Sequence, residues 1–256
     1  MEIDIEYRGR PVEIGPLIGR GRLGEVYAAL SGGEDLAVKV YTRYQSAPIE
    51  VADALRRSTL AGQALANMPQ GDLRVAPGLM AVVVHSKVQE WPGVLMRRAE
   101  GVASGDWLKQ NPSRDEKSDM LRQLLMGIAL MHDCNVFHND ISFGNLLRGD
   151  ALWLLDFDRA GDAPPPLLAD SLFYEKTGYG AAHDLRAFAI LATLVTEGYH
   201  PFTDDISGLL RGVSGFGPMV RPAKNAGWAR LLEPALGLEP GLCAQSLLDQ
   251  WPCPNH

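Results

Sequence analysis

The sequence predicts an α+β chain built as two lobes, a small β-rich one over residues 1–98 and a larger helical one over residues 99–256. Three observations predict it. Short β-branched and aromatic runs fill the first hundred residues, apolar residues at helical spacing dominate after Gly105, and no internal repeat interrupts either half. The 256 residues suffice for one large domain or for two small lobes sharing a cleft. A content of 46% hydrophobic and 21% charged residues is ordinary for a globular chain and excludes wholesale disorder.

Taken in chain order, Ile3, Ile5 and Tyr7 alternate with polar residues, the period of a half-buried strand. Val26–Ala28 and Leu36–Val40 are further β runs, and Ser31-Gly32-Gly33 between them signals a hairpin turn. Pro48 opens a helix over residues 48–67 that carries Val51, Leu55, Leu60 and Leu65 and stops before Pro69. Strands follow near residues 79–85 and 93–97. Beyond Gly105, Met120, Leu121, Leu124, Leu125, Ile128 and Met131 form the core stripe of a helix over residues 117–133. Short strands are expected at 136–137, 145–147 and 152–155, a stiff proline loop at 163–166, and helices at 184–197 and 246–251.

Charge and composition narrow the function classes. The 24 Lys and Arg oppose 31 Asp and Glu, a net charge of −7 without basic runs. Such a chain is poorly suited to nucleic acid or anionic membrane, so neither is expected as a partner. Its longest apolar stretches fall well short of the roughly 20 residues of a membrane span, and no membrane insertion is expected. Cys134, Cys243 and Cys253 are too few and scattered for a disulfide scaffold. The tail Cys253-Pro-Asn-His256 offers at most half a metal site, and no second pair of ligands lies nearby. A soluble cytoplasmic protein is expected.

Two blocks carry chemistry. Gly19-Arg-Gly21-Arg-Leu-Gly24-Glu-Val26 fits G-x-G-x-x-G-x-V, and Lys39 follows Val26 by thirteen residues in Leu-Ala-Val-Lys-Val. A strand after the glycines, rather than a helix, argues against a dinucleotide fold. It favours a hairpin whose backbone N–H groups lie over phosphates while a lysine neutralises their charge. The second block is His138-Asn-Asp140-Ile-Ser142-Phe-Gly-Asn145, followed eleven residues after Asn145 by Asp156-Phe-Asp158. An acid, an amide five residues later and a second acid beyond a strand suit Mg·ATP chemistry. One acid orients an acceptor hydroxyl, and the other two groups hold Mg²⁺ together with phosphate oxygens.

These blocks together resemble the eukaryotic-type protein kinase family, in a compact bacterial-style form over nearly the whole chain. The resemblance implies a two-lobed kinase-like fold, with ATP between a five-stranded lobe bearing one helix and a helical lobe. It implies catalytic roles for Asp140 and Lys39, and Mg²⁺ (or Mn²⁺) on Asn145 and Asp156. It also implies an ATP site formed by Ile18, Gly19, Gly21, Gly24, Val26, Ala37, Lys39, Met96 as gatekeeper, and the backbone at Arg97 and Ala99. The function implied is γ-phosphoryl transfer to a serine or threonine hydroxyl of a protein substrate. Asp184-Leu-Arg-Ala-Phe-Ala resembles the helix whose aspartate anchors the catalytic loop.

Several positions depart from the family pattern. Asn139 replaces the arginine before the catalytic aspartate, which argues against switching by loop phosphorylation. No Ala-Pro-Glu ends the roughly 28-residue segment from Asp156 to Asp184, and Cys243 stands where its arginine partner belongs. Ser142 replaces a phosphate-contacting lysine, and Asp158 replaces a glycine. Where helix C should present the glutamate that pairs with the lysine stand Ser58 and Thr59, leaving Glu50, Gln63 or some other holder for Lys39. His132 and His138 read as packing or hydrogen-bonding groups, and the five tryptophans as core or lobe-edge residues. Ser171, Tyr174, Thr177 and Tyr179 are the phosphorylatable hydroxyls of the segment. Two alternatives stay open: a small-molecule kinase resembling lipopolysaccharide-sugar or aminoglycoside kinases, and a nucleotide-binding pseudokinase scaffold.

Overall fold

The first sheet has the strand order β1-β8-β9-β6-β5-β4, and its central strand β6 is buried over its last five residues. Its strands are β1 (Glu2–Ile3), β4 (Glu13–Arg20), β5 (Glu25–Ser31), β6 (Glu34–Val40), β8 (Gly78–His85) and β9 (Glu90–Arg97). A small hairpin of β2 (Glu6–Tyr7) and β3 (Arg10–Pro11) precedes β4. The computed structural model describes all residues except 1, 4, 70–72, 86–88, 165–172, 175–177, 208–218, 220, 222–223, 225 and 252–256. The expectation for Cys253 and His256, and for Pro165 and Pro166, therefore lies outside the described residues. The five strands that the resemblance implies are present as β4, β5, β6, β8 and β9. The strand expected across Ile3, Ile5 and Tyr7 instead forms two short pieces, β1, which pairs with Val84 and His85, and β2, while β4 is not among the strands expected from the sequence. Between β5 and β6, Gly32 (φ 58°) and Gly33 (φ 86°) both take left-handed backbone. That is the requirement of the tight hairpin turn which the two glycines signal.

Register sorts this sheet into two faces. Val26 lies opposite Lys39 and Ala28 opposite Ala37, while Lys39 lies opposite Val94 and Ala37 opposite Met96. Directly paired residues share a face, so Val26, Ala28, Ala37, Lys39, Val94 and Met96 point the same way. Helix α1 (Pro48–Ala64) covers this side: its Val51, Ala54 and Leu55 pack with Leu23, Tyr41, Val94 and Met96. The other face holds Ala29, Leu36, Val38, Val40, Val82, Val84 and Leu95, covered in part by Val12, Ile5 and Tyr7.

Pro48 occupies the first turn of α1, where its missing N–H costs nothing. The helix approaches β8 very closely. A Cβ on Gly62 would come within 1.8 Å of the Gly78 carbonyl oxygen, and one on Gly78 within 3.0 Å of Ser58 Oγ. Ser58 is buried there and accepts the Gly78 N–H at 3.1 Å.

The remaining elements are mostly helical. They are α2 (Ser104–Leu108), α3 (Arg114–Asp133), α4 (Ala181–Glu197), α5 (Ala226–Leu236) and α6 (Ala244–Asp249). A four-stranded sheet accompanies them, ordered β10 (Val102–Ala103), β11 (Leu146–Arg148), β12 (Leu152–Leu154), β7 (Leu73–Val75). Helix α3 begins three residues before the expected 117, because Ser113 and Glu116 form a reciprocal capping box. Met120, Leu121, Leu124, Leu125, Ile128 and Met131 are all fully buried along it. Helix α4 is buried on nearly every side and stops at Gly198 (φ 79°). Trp153 and Trp228 are core residues, and Trp228 meets Trp251 edge-on at 5.3 Å.

One expected strand is absent. Residues 136–137 form no strand, since Val136 N–H closes the end of α3 on the Met131 carbonyl. Among the described residues no helix is long and apolar enough to cross a membrane.

The chain divides into two compact units. The β-rich unit comprises Met1–Asn67, Ala76–Ala99 and Leu155–Ala160, and the helical unit comprises Met68–Val75, Glu100–Leu154 and Gly161–His256.

The contact of α1 with β8 yields a test. Gly62→Ala forces the helix off the sheet and is expected to cost about 1–3 kcal/mol. The cost is read as a lowered thermal midpoint, whereas Gly33→Ala, with open space around its Cβ, suffers only backbone strain.

Candidate functional site

In the β-rich unit the glycine hairpin, the lysine strand and the segment Leu155–Ala160 meet. The hairpin tip between β4 and β5 is closed by the Gly21 N–H on the Gly24 carbonyl at 2.8 Å. Gly24 is there for packing: a Cβ would sit 1.9 Å from the Val40 carbonyl oxygen. Gly19 and Gly21 have no such constraint, since their added Cβ atoms would meet only ordinary contacts at 3.7 and 3.8 Å. Packing within the chain does not require glycine at these two positions. Glycine at both leaves the backbone bare, which permits another group to approach it closely. Ile18 is exposed on the edge strand β4.

Lys39 is the buried charge of this unit. Its Nζ donates to Asp156 Oδ1 and to Asp158 Oδ2, each at 2.7 Å. It also lies 5.6 Å from the centre of the Tyr41 ring. Tyr41, itself fully buried, donates its hydroxyl to Asp158 Oδ1 at 2.8 Å. Burial alone would lower the lysine pKa, but the charges of Asp156 and Asp158 outweigh it and hold the ammonium above its ordinary value. Burial and the neighbouring Asp156 charge push Asp158 up to about 6. Asp156 has left-handed backbone (φ 62°), a conformation that aspartate adopts more readily than most side chains.

Helix α1 contributes no partner to Lys39. Glu50 forms an ion pair with Arg22 of the hairpin tip, and Gln63 is exposed. Asp53 pairs with Arg56 at 2.9 Å and Arg57 at 2.5 Å. Thr59 hydroxyl turns back to the Leu55 carbonyl. Buried Arg57 instead donates through Nη1 to the Ala160 carbonyl at 3.3 Å, tying the helix to the segment that carries both aspartates.

In the helical unit a single carboxylate organises the loop after α3. Asp184, in the first turn of α4, is fully buried. Its Oδ2 accepts from His132 Nε2 at 3.1 Å and the His138 N–H at 2.7 Å. Its Oδ1 accepts from the Asn139 N–H and the Tyr174 hydroxyl, both at 2.8 Å. Tyr174 in turn accepts the Ile141 N–H at 3.0 Å. Burial would raise the Asp184 pKa, but the hydrogen bond and charge of His132 and the hydroxyl of Tyr174 hold it below its ordinary value.

Asn139 is buried with left-handed backbone (φ 58°). Its Nδ2 donates to the Gly161 carbonyl at 2.8 Å, and its Oδ1 accepts the Gly180 N–H at 2.6 Å. The side chain that replaces the expected arginine thus fastens both ends of the 161–180 segment. Of the phosphorylatable hydroxyls named above, Tyr174 is buried in this network and Tyr179 is exposed. Ser171 and Thr177 lie outside the described residues.

Asp140 and Asn145 meet directly. Asn145 Nδ2 donates to the Asp140 carbonyl at 2.8 Å and to its carboxylate at 3.0 Å. The amide nitrogen is committed, so the oxygen is the end that a hard cation would take. His138 Nδ1 accepts the Asp140 N–H at 3.2 Å, which leaves its proton on Nε2.

The structure therefore joins Lys39 to Asp156, groups Val26, Ala37, Lys39 and Met96 on one sheet face, and joins Asp140 to Asn145. Asn145 and Asp156 belong to different units. Arg97 lies opposite Leu36, on the other register from Met96, and Ala99 follows β9 in irregular backbone. Among the described residues no group of three or more His, Cys, Asp and Glu could hold a metal alone. A cation here would need phosphate oxygens to complete its shell, as Mg²⁺ habitually does. Sequence reasoning missed the grip of Asp158 and Tyr41 on Lys39, and the strut that Tyr174 forms. Its one clue to the first was the missing helix acid.

No family model matches the chain. It is similar to protein kinases, at low identity. CBL-interacting protein kinase 25 of rice is 24% identical over 254 residues, covering 89% of this chain and 48% of that protein. Aurora kinase of Encephalitozoon cuniculi is 27% identical over 155 residues, covering 57% of this chain and 53% of that protein. Serine/threonine-protein kinase pkn2 of Myxococcus xanthus is 26% identical over 148 residues, covering 55% and 17%. The chain spans about half or less of the length of these relatives.

The carboxylate hub predicts a pH dependence. Asp184 has a folded-state pKa below its ordinary 3.8, so its contribution to stability is complete above pH 3.8 and fades as pH falls towards the folded value. In denaturation followed from pH 7 downwards, the stability gap between wild type and Asp184→Asn is expected to stay constant to about pH 4 and to close below it. Tyr174→Phe leaves the Ile141 N–H buried without its acceptor and is expected to cost about 1–3 kcal/mol.

Proposed function

We propose that the chain is an ATP-dependent phosphotransferase that moves the γ-phosphoryl group of Mg·ATP to a serine or threonine hydroxyl of a protein substrate. The observation that carries this reading is the buried, charged Lys39 held against Asp156 on the sheet face that also bears Val26, Ala37 and Met96. The residues suit the nucleotide: Gly19 and Gly21 are bare where packing does not require it, and Asn145, its amide nitrogen committed to Asp140, has an oxygen to offer a hard cation. The similarity to protein kinases supports the same reading.

Mg·ATP supplies the transferred group and a cation that neutralises its oxygens. In the chain's own residues, Ile18, Val26, Ala37 and Met96 hold the adenine with the backbone at Arg97 and Ala99. Gly19, Gly21 and Gly24 cover the phosphates, while Lys39 binds the α and β groups. Asp140 orients the acceptor hydroxyl and receives its proton, and Asn145 and Asp156 hold Mg²⁺ or Mn²⁺. Catalysis of this kind comes mainly from positioning and charge neutralisation. The scattered cysteines suit a reducing, cytoplasmic setting.

A second reading, a small-molecule acceptor, is favoured by Ser142 in place of a lysine beside Asp140. Label transfer from γ-labelled Mg·ATP to a generic protein acceptor, rather than to sugars or aminoglycosides, separates the two. Asp140→Ala is expected to lower turnover roughly 10²- to 10⁴-fold while nucleotide binding persists. Asp156→Ala is expected to abolish Mg²⁺-dependent nucleotide binding and to leave the fold intact, because Asp158 still pairs with Lys39. Undiminished Mg·ATP affinity in that variant, by calorimetry, overturns the metal assignment.

A further inference from the structure

We propose that Asp158, fixed by Tyr41, is the residue that positions Lys39 for the nucleotide, a task that no acid of helix α1 performs in this chain. The inference rests on the reading above, in which Lys39 binds phosphates. Its grounds are geometric. Two carboxylates share the Lys39 ammonium, and they differ in setting: the Asp156 side chain is 37% exposed and that of Asp158 is 10% exposed. Asp156 is thus the group open to a hydrated cation, and Asp158 is sealed beside the lysine with the Tyr41 hydroxyl on its second oxygen. When Asp156 turns to a metal, Asp158 remains on Lys39.

Helix α1 cannot take over this task. Ser58 is buried against Gly78, where Gly62 also meets the strand with no room for a Cβ. A glutamate at 58 would be driven into the β8 backbone. Glu50 and Asp53 are occupied by arginines. The contribution of the helix is indirect, through Arg57 on the Ala160 carbonyl next to the segment bearing Asp158. Lys39, Tyr41, α1 and Asp158 all lie within one compact unit, so the lysine keeps its anchor through contacts internal to that unit.

The test uses the full chain and an acyl-phosphate derivative of ATP, which acylates a lysine poised at the phosphates and is read by mass spectrometry at Lys39. The melting-midpoint rise given by saturating Mg·ATP is measured alongside. Asp158→Asn is expected to weaken Mg·ATP binding roughly tenfold, the loss of one charge-assisted hydrogen bond, and to cut Lys39 labelling relative to nucleotide bound. Asp158→Glu restores part of both, Tyr41→Phe gives a milder loss, and Glu50→Gln changes neither. A merely structural role lowers the melting midpoint without nucleotide and leaves the labelling per bound nucleotide unchanged, which overturns the proposal. So does loss of labelling in Glu50→Gln with Asp158→Asn unaffected. If wild type neither binds nor is labelled, the phosphotransferase reading itself fails, and this inference with it. If Asp158→Asn does not fold, Tyr41→Phe decides: unchanged labelling in it overturns the proposal.

Discussion

A full positive charge in the middle of a buried strand is the constraint from which the β-rich unit is built. Lys39 sits on a sheet face whose neighbours are Val26, Ala37, Val94 and Met96, an environment in which an unpaired ammonium would be neutralised or the fold lost. Two carboxylates and an aromatic face meet that demand. They bring with them a segment, Leu155–Ala160, that is remote in sequence yet part of the same compact unit. The left-handed backbone at Asp156 is the local cost of turning both acids towards one amine.

The close packing of α1 on β8 explains why the charge is met from that segment. Gly62 and Gly78 let the helix and strand backbones touch, and Ser58 fills the gap by accepting the Gly78 N–H. Tight packing and a long acidic side chain at that point exclude each other. The packing leaves no room for such a side chain, and the acid beside Lys39 comes instead from Asp158.

Much of this was legible in the sequence, and what was not has physical reasons. The helices expected at 48–67 and 184–197 and found at 48–64 and 181–197, the Gly32-Gly33 turn and the strands bearing Lys39 and Met96 follow from periodicity and turn chemistry, which are local signals. The three-residue strand β7 is too short to show a period, and it pairs in parallel with β12, far along the chain. Residues 136–137 have strand composition, but their backbone serves to end α3. Pro234 inside α5 masked that helix. In the site, the vacancy at Ser58 and Thr59 was visible, whereas its remedy was a contact between residues 39 and 158, which no local pattern encodes.

The helical unit follows the same logic with the opposite sign. Asp184 is a buried negative charge, and four donors meet it: two backbone N–H groups, one imidazole and one phenol. Those donors come from α3, the loop after it and the 161–180 segment, so satisfying one carboxylate fixes three pieces of chain at once. Asn139 then fastens both ends of that segment with a neutral side chain. An arginine at this position would carry a charge that needs an anion to complete it, such as a phosphate added later. An amide is satisfied by the Gly161 carbonyl and the Gly180 N–H as soon as the chain folds, and so the loop bearing Asp140 has its supports without any modification of the protein.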